Sequence, residues 1–124
     1  MRKLLFAALF AISASVIAAP SGWVDPIKFD GSDAMKTQVI EFIKKDVHKQ
    51  YCEGLGQCSA SMLRMMEQSN LDDFKYLAKN AKSNEPAFRQ VYKDYCEGLG
   101  QCGYSMLKMM YVEEDKNSKK ELTW

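Results

Sequence analysis

VHKQYCEGLGQCSASMLRMM occupies residues 47–66, and VYKDYCEGLGQCGYSMLKMM occupies residues 91–110. The two stretches align without a gap at a shift of 44 residues. Fifteen of the twenty positions are identical. One of the five differences, Arg64 against Lys108, keeps the charge. A tandem duplication organises this chain, and two copies are too few for a solenoid. The expectation is therefore one compact domain with a pseudo-two-fold internal repeat.

Each copy carries two cysteines, Cys52 and Cys58 in the first, Cys96 and Cys102 in the second. An even count reads as two disulfides if the chain folds in an oxidising compartment. Three pairings are open. On an uninterrupted helix, six residues would place the sulfurs about 9 Å apart along the axis and roughly 120° apart around it. No disulfide spans that. Pairing within a copy thus requires the helix to break at Gly54–Gly56 and at Gly98–Gly100. Pairing across copies permits straight helices in close contact at those glycines. Loop entropy favours the cross-copy arrangement, roughly 4 kcal/mol against roughly 2.4 kcal/mol for a seven-residue loop. A duplicated unit carrying its own staple is the simpler history, so Cys52–Cys58 with Cys96–Cys102 is slightly preferred.

The residues around the repeat predict an all-α, disulfide-stapled domain of about five helices. Ser32 or Asp33 is a suitable N-cap for a helix with Met35, Val39, Phe42, Ile43, Val47 and Tyr51 at steps of three and four. Ser59 or Ser61 caps a short helix bearing Met62, Leu63, Met65 and Met66. Asn70 starts a third, with acidic Asp72 and Asp73 in its first turn complementing the dipole. Asn84-Glu85-Pro86 opens a fourth, whose inner face is Ala87, Phe88, Val91 and Tyr95. Ser105–Tyr111 repeats the methionine-bearing helix. Leu55 and Leu99, the apolar centres of the two cysteine loops, are assigned to the shared core.

Outside this unit, Met1-Arg2-Lys3 followed by the apolar run Leu4–Ala14 and a small-residue stretch has the three-part form of a secretory signal peptide. The run is shorter than the roughly 20 apolar residues of a transmembrane helix. The expected organisation is a leader at residues 1–19, cleaved near Ala18 or Ala19, and an extended segment at 20–31. A single helical domain follows at 32–112, with a charged tail at 113–124. Pro26 argues against a helix in the extended segment, and Trp23 and Phe29 are expected to fold back on the core. The protein is accordingly read as periplasmic or secreted.

Loss of Arg2 and Lys3 with the leader leaves 15 basic against 16 acidic side chains, a net charge of −1. No global field recruits nucleic acid, and no integral membrane span is expected. About 105 residues suffice for a modest core.

The chemistry-bearing residues are sparse. His48 is the only histidine, and its counterpart is Tyr92. A zinc site or a His-based triad needs companions it lacks. Glu53 and Glu97 stand at equivalent positions, but as a catalytic pair they would have to meet in a cleft. The spacing Cys-Glu-Gly-Leu-Gly-Gln-Cys departs from the Cys-x-x-Cys of dithiol oxidoreductases. No enzyme activity, metal or cofactor is expected. Six methionines form two clusters, Met62, Met65 and Met66, and Met106, Met109 and Met110. Thioethers can hold Cu(I), but at helical spacing they more often fill a core or form an adaptable surface. The leading expectation is a protein-binding or inhibitor-type module for an unknown exported partner, immunity-like by analogy of size and class only. The alternative is Cu(I) or hydrophobic-ligand binding through the methionines.

Overall fold

The computed structural model describes residues 19–124, so the expected leader, apart from its last residue, lies outside the described residues. No strand occurs among them. Three uninterrupted helical runs, 33–53, 60–97 and 104–118, contain four α-helices: α1 Asp33–Val47, α2 Ala60–Asn80, α3 Glu85–Val91 and α4 Tyr104–Ser118. Short 3-10 turns at Pro26–Lys28 and Ala81–Asn84 complete the trace.

Capping chemistry explains the starts. Ser32 Oγ accepts from the Met35 amide, Ser59 Oγ from the Met62 amide, each at 3.2 Å. Asn84 Oδ1 accepts from Ala87 at 3.4 Å, with Pro86 in the first turn. The expectation of about five helices is corrected at Asn70. Its side chain does not cap a new helix. It donates to the Met66 carbonyl at 2.9 Å and accepts from the Ser105 amide of α4 at 3.3 Å. The expected short helix and its successor are therefore one 21-residue helix. Asn70 supplies α4 with the cap that Gly103, having no side chain, cannot provide. α4 continues to Ser118, so the first half of the charged C-terminal stretch is helical.

The repeated sequence folds into a repeated backbone. Both α1 and α3 widen into a six-residue π-helix, His48–Glu53 and Tyr92–Glu97. Gly54 and Gly98 donate back to Lys49 and Lys93 at 3.0 and 2.9 Å. A Cβ on Gly54 would stand 2.6 Å from the Gln50 carbonyl oxygen, so the tight exit requires glycine. Gly56 and Gly100 then take φ of +69° and +68°, a region open to glycine at little cost. The chain reverses there and returns each second cysteine to the first. The disulfides are Cys52–Cys58 and Cys96–Cys102, with Cα separations of 4.4 and 4.3 Å.

This reversal corrects the placement of Leu55 and Leu99. Both sit at the tips of the disulfide loops, 66% and 65% exposed. The core is built elsewhere, in two clusters. Leu77, Phe88, Val91, Leu107 and Tyr111 form one with Cys96 and Cys102; Val24, Val39, Phe42, Ile43, Val47, Phe74 and Tyr104 form the other. Trp23 packs against both, as a folded-back N-terminal segment should, and Phe29 meets Phe74 edge-on at 5.1 Å. Tyr104 is fully buried, with Phe74 and Phe42 ring centroids at 4.8 and 5.5 Å. Complete burial of one such side chain contributes roughly 1.5–3 kcal/mol.

Contacts between α2 and α4 fix their relative register. Asn70 meets Ser105 and Asp73 meets Lys108, both 35 residues on, so the helices run parallel. Since the sequence repeat is 44 residues, equivalent positions are staggered by about nine residues, or about 13 Å of helix. That stagger differs from the face-to-face pairing that an approximate two-fold would give.

Candidate functional site

The stagger separates the two methionine clusters. Met106–Met110 lies beside Leu71–Lys75 of α2, while Met62–Met66 lies more than a turn earlier. No methionine of the six is fully buried, and the clusters divide between core edge and surface. Met65 and Met109 are 55% and 51% exposed; Met66 and Met110 pack on opposite core clusters. None of the described cavities is lined by methionines from both clusters.

The cysteine motifs differ in surroundings although their backbones match. Cys96 and Cys102 are buried, whereas Cys52 is half-buried and Cys58 exposed. Four of the five sequence differences lie around these motifs. Tyr92 and Tyr104 of the second copy receive Trp23, at 5.0 and 6.1 Å between centroids, and the indole N–H donates to the Cys102 carbonyl at 3.0 Å. Their counterparts His48 and Ala60 face solvent. Gly103 replaces Ser59 where a Cβ would lie 3.1 Å from Asp46 Oδ2. Asp46 and Gln50 of the first copy become Gln90 and Asp94 in the second, so each pair keeps an amide-to-carboxylate bond with its members exchanged, at 2.9 and 3.0 Å. Burial pushes the Asp46 carboxyl above the usual carboxylate range, opposed by the Gln50 bond.

His48 Nδ1 lies 3.7 Å from Glu53 Oε1 with both side chains largely exposed, an ordinary surface pair. Among the described residues no group of three His, Cys, Asp or Glu side chains converges as a metal site. No helix of the described residues is long and apolar enough to cross a membrane.

Two concave features were missed by sequence reasoning, because each joins residues from different helices. The first, about 560 Å³, lies between the first π-helix, α2 and α4; Tyr51, Asn70, Met106, Met109 and Val112 line it. Ser105 also lines it, and its Oγ, buried beneath the cleft surface, has no hydrogen-bond partner among the described residues. The second runs between α1 and α2 as two cavities of about 360 and 270 Å³ that share Ile40 and Leu71. Only the exposed Ile40, at the edge of the apolar stripe of α1, could have pointed to it.

No family model, curated protein or solved structure matches this chain.

Proposed function

We propose that this chain is a small exported binding module that presents apolar side chains on disulfide-locked loops to another exported protein. The observation that carries this reading is the exposure of Leu55 and Leu99 at the tips of two loops with the same sequence and backbone. Leucine in such a position contributes nothing to the core and exposes apolar surface that association would bury. Closure by a cystine lowers the ordering cost that a free loop would incur on binding. The duplication supplies the same tip twice, on two halves that share one design. The leader-like N-terminus and the paired cysteines support a location in the periplasm or outside the cell. The likeness to small exported inhibitor and immunity proteins is an analogy of size, compartment and helical class.

The test is capture from periplasmic extract by immobilised mature, oxidised protein, alongside a variant carrying Leu55→Glu and Leu99→Glu. One exported protein retained by the wild type and lost by the equally folded variant supports the reading. Equal retention by both, or nothing above background, ends it.

A second reading is favoured by the cleft that Met106 and Met109 line together with Tyr51 and Val112. A small apolar ligand would fill it. Native mass spectrometry of the protein purified from its own host is expected to show a bound mass in that case. Cu(I) titration is expected to show no tight binding, since the clusters are about 13 Å apart along the helices.

A further inference from the structure

The α1/α2 groove has a layout that the loop tips do not share. α1 and α2 are antiparallel along it, with Ile40 beside Leu71 at its centre and Phe29 and Phe74 extending the apolar floor. Lys36 and Lys75 stand at one end, Lys44 and Arg64 at the other. Arg64 is bridged at 2.6 Å to Glu67, which also lines that end, so Lys44 is the free cation there among the described residues. Lys36, Lys44 and Lys75 are exposed and form no salt bridge among the described residues. On a mature chain of net charge −1 this is a local concentration of free cations around an apolar floor.

We propose that this groove docks an acidic amphipathic helix of a partner protein, with its apolar stripe on Ile40 and Leu71 and a carboxylate at each end. Placement of the cations selects that occupant. Lys36 and Lys44 are eight residues apart on α1, about 12 Å, with Lys75 across the groove at the Lys36 end. Positions i, i+7 and i+11 of a helix share one face and span the same range, so one helix can satisfy both ends while its apolar residues fill the middle. A fatty acid has one carboxylate and leaves the far cations unmatched. A lipid surface is flat and meets the cations without filling the floor between the helices. The proposal shares with the loop-tip reading only that the protein binds proteins, and it uses different residues.

The probe is a synthetic 15-residue amphipathic helix with a leucine stripe and glutamates at both ends, titrated calorimetrically into the mature, oxidised protein. The controls are the same peptide with lysine for glutamate, laurate, and phosphatidylglycerol vesicles. The glutamate peptide is expected to bind, more weakly at higher salt, and the lysine peptide not to bind. Ile40→Glu, and separately Lys36→Glu with Lys44→Glu, are expected to weaken binding at least about tenfold. These are surface positions, and circular dichroism checks that each variant folds. Leu55→Glu with Leu99→Glu is expected to leave peptide binding unchanged, so loss of partner capture and loss of peptide binding report on different surfaces. No binding, or binding indifferent to both groove variants, overturns the proposal. Groove-dependent binding of laurate or vesicles without the peptide also overturns it, as does a self-association abolished by Ile40→Glu, which would make a second copy the occupant.

Discussion

The hydroxyl of Tyr104 donates to the carbonyl of Val24 and accepts from its amide, both at 2.9 Å. One side chain thereby satisfies both backbone groups of a residue 80 positions away and holds the N-terminal segment over the second cysteine loop.

Tyr104→Phe keeps the ring and removes both bonds, leaving the buried Val24 amide and carbonyl unpaired. A loss of about 1–3 kcal/mol is expected from urea denaturation. Burial pushes the Tyr104 hydroxyl well above the ordinary value of 10.0. The folded state therefore keeps this proton when the unfolded chain has released it. Stability from this group is full below pH 10 and declines as the pH rises past it. The gap between wild type and Tyr104→Phe should accordingly stay constant below about pH 10 and narrow as the pH rises above it; a gap that stays constant above about pH 10 would contradict the account.

The two cystines should differ in reducibility. Thiolate attack needs access to a sulfur, and Cys58 is exposed whereas Cys96 and Cys102 are buried. Under a mild thiol reductant, differential alkylation with mass spectrometry is expected to label Cys52 and Cys58 first. Equal rates for the two pairs would show that the surroundings do not protect the second. Removing the first bridge should cost roughly 2 kcal/mol from loop entropy, and removing the second more, because core packing is lost with it.

Leu55→Ala and Leu99→Ala are each expected to change stability by less than about 0.5 kcal/mol, as surface positions do. Leu107→Ala, at a fully buried position, should cost about 2–5 kcal/mol. Leu63, its half-buried equivalent in the first copy, should cost less. Chemical denaturation of the four variants measures the asymmetry of the repeat directly.

Oxidation should follow exposure among the methionines. Dilute peroxide is expected to convert Met65 and Met109 to sulfoxides before Met66 and Met110, which pack against the core. Peptide mapping over a time course decides the order, and faster oxidation of Met66 or Met110 would refute the surface placement.

By itself the sequence determined the helical class and the duplication, narrowed the helix starts to Ser32 or Asp33, Ser59 or Ser61 and Asn84, and left a break at the paired glycines as one of two options. These are local matters: a cap, a φ of positive sign and an apolar period are written within a few residues. Tertiary structure alone decided the rest. Asn70 has the composition of an N-cap, yet it bridges α2 to α4, because the orphan amide it satisfies lies 35 residues away. Leu55 and Leu99 have the composition of core residues, yet they sit outside. A seven-residue cystine loop turns its centre away from the helices that carry it. Identical sequence in the two copies could not reveal which disulfide is covered, since burial depends on where Trp23 and Tyr104 meet. Nor could it reveal the groove, whose Ile40 and Leu71 become neighbours only when α1 packs antiparallel to α2.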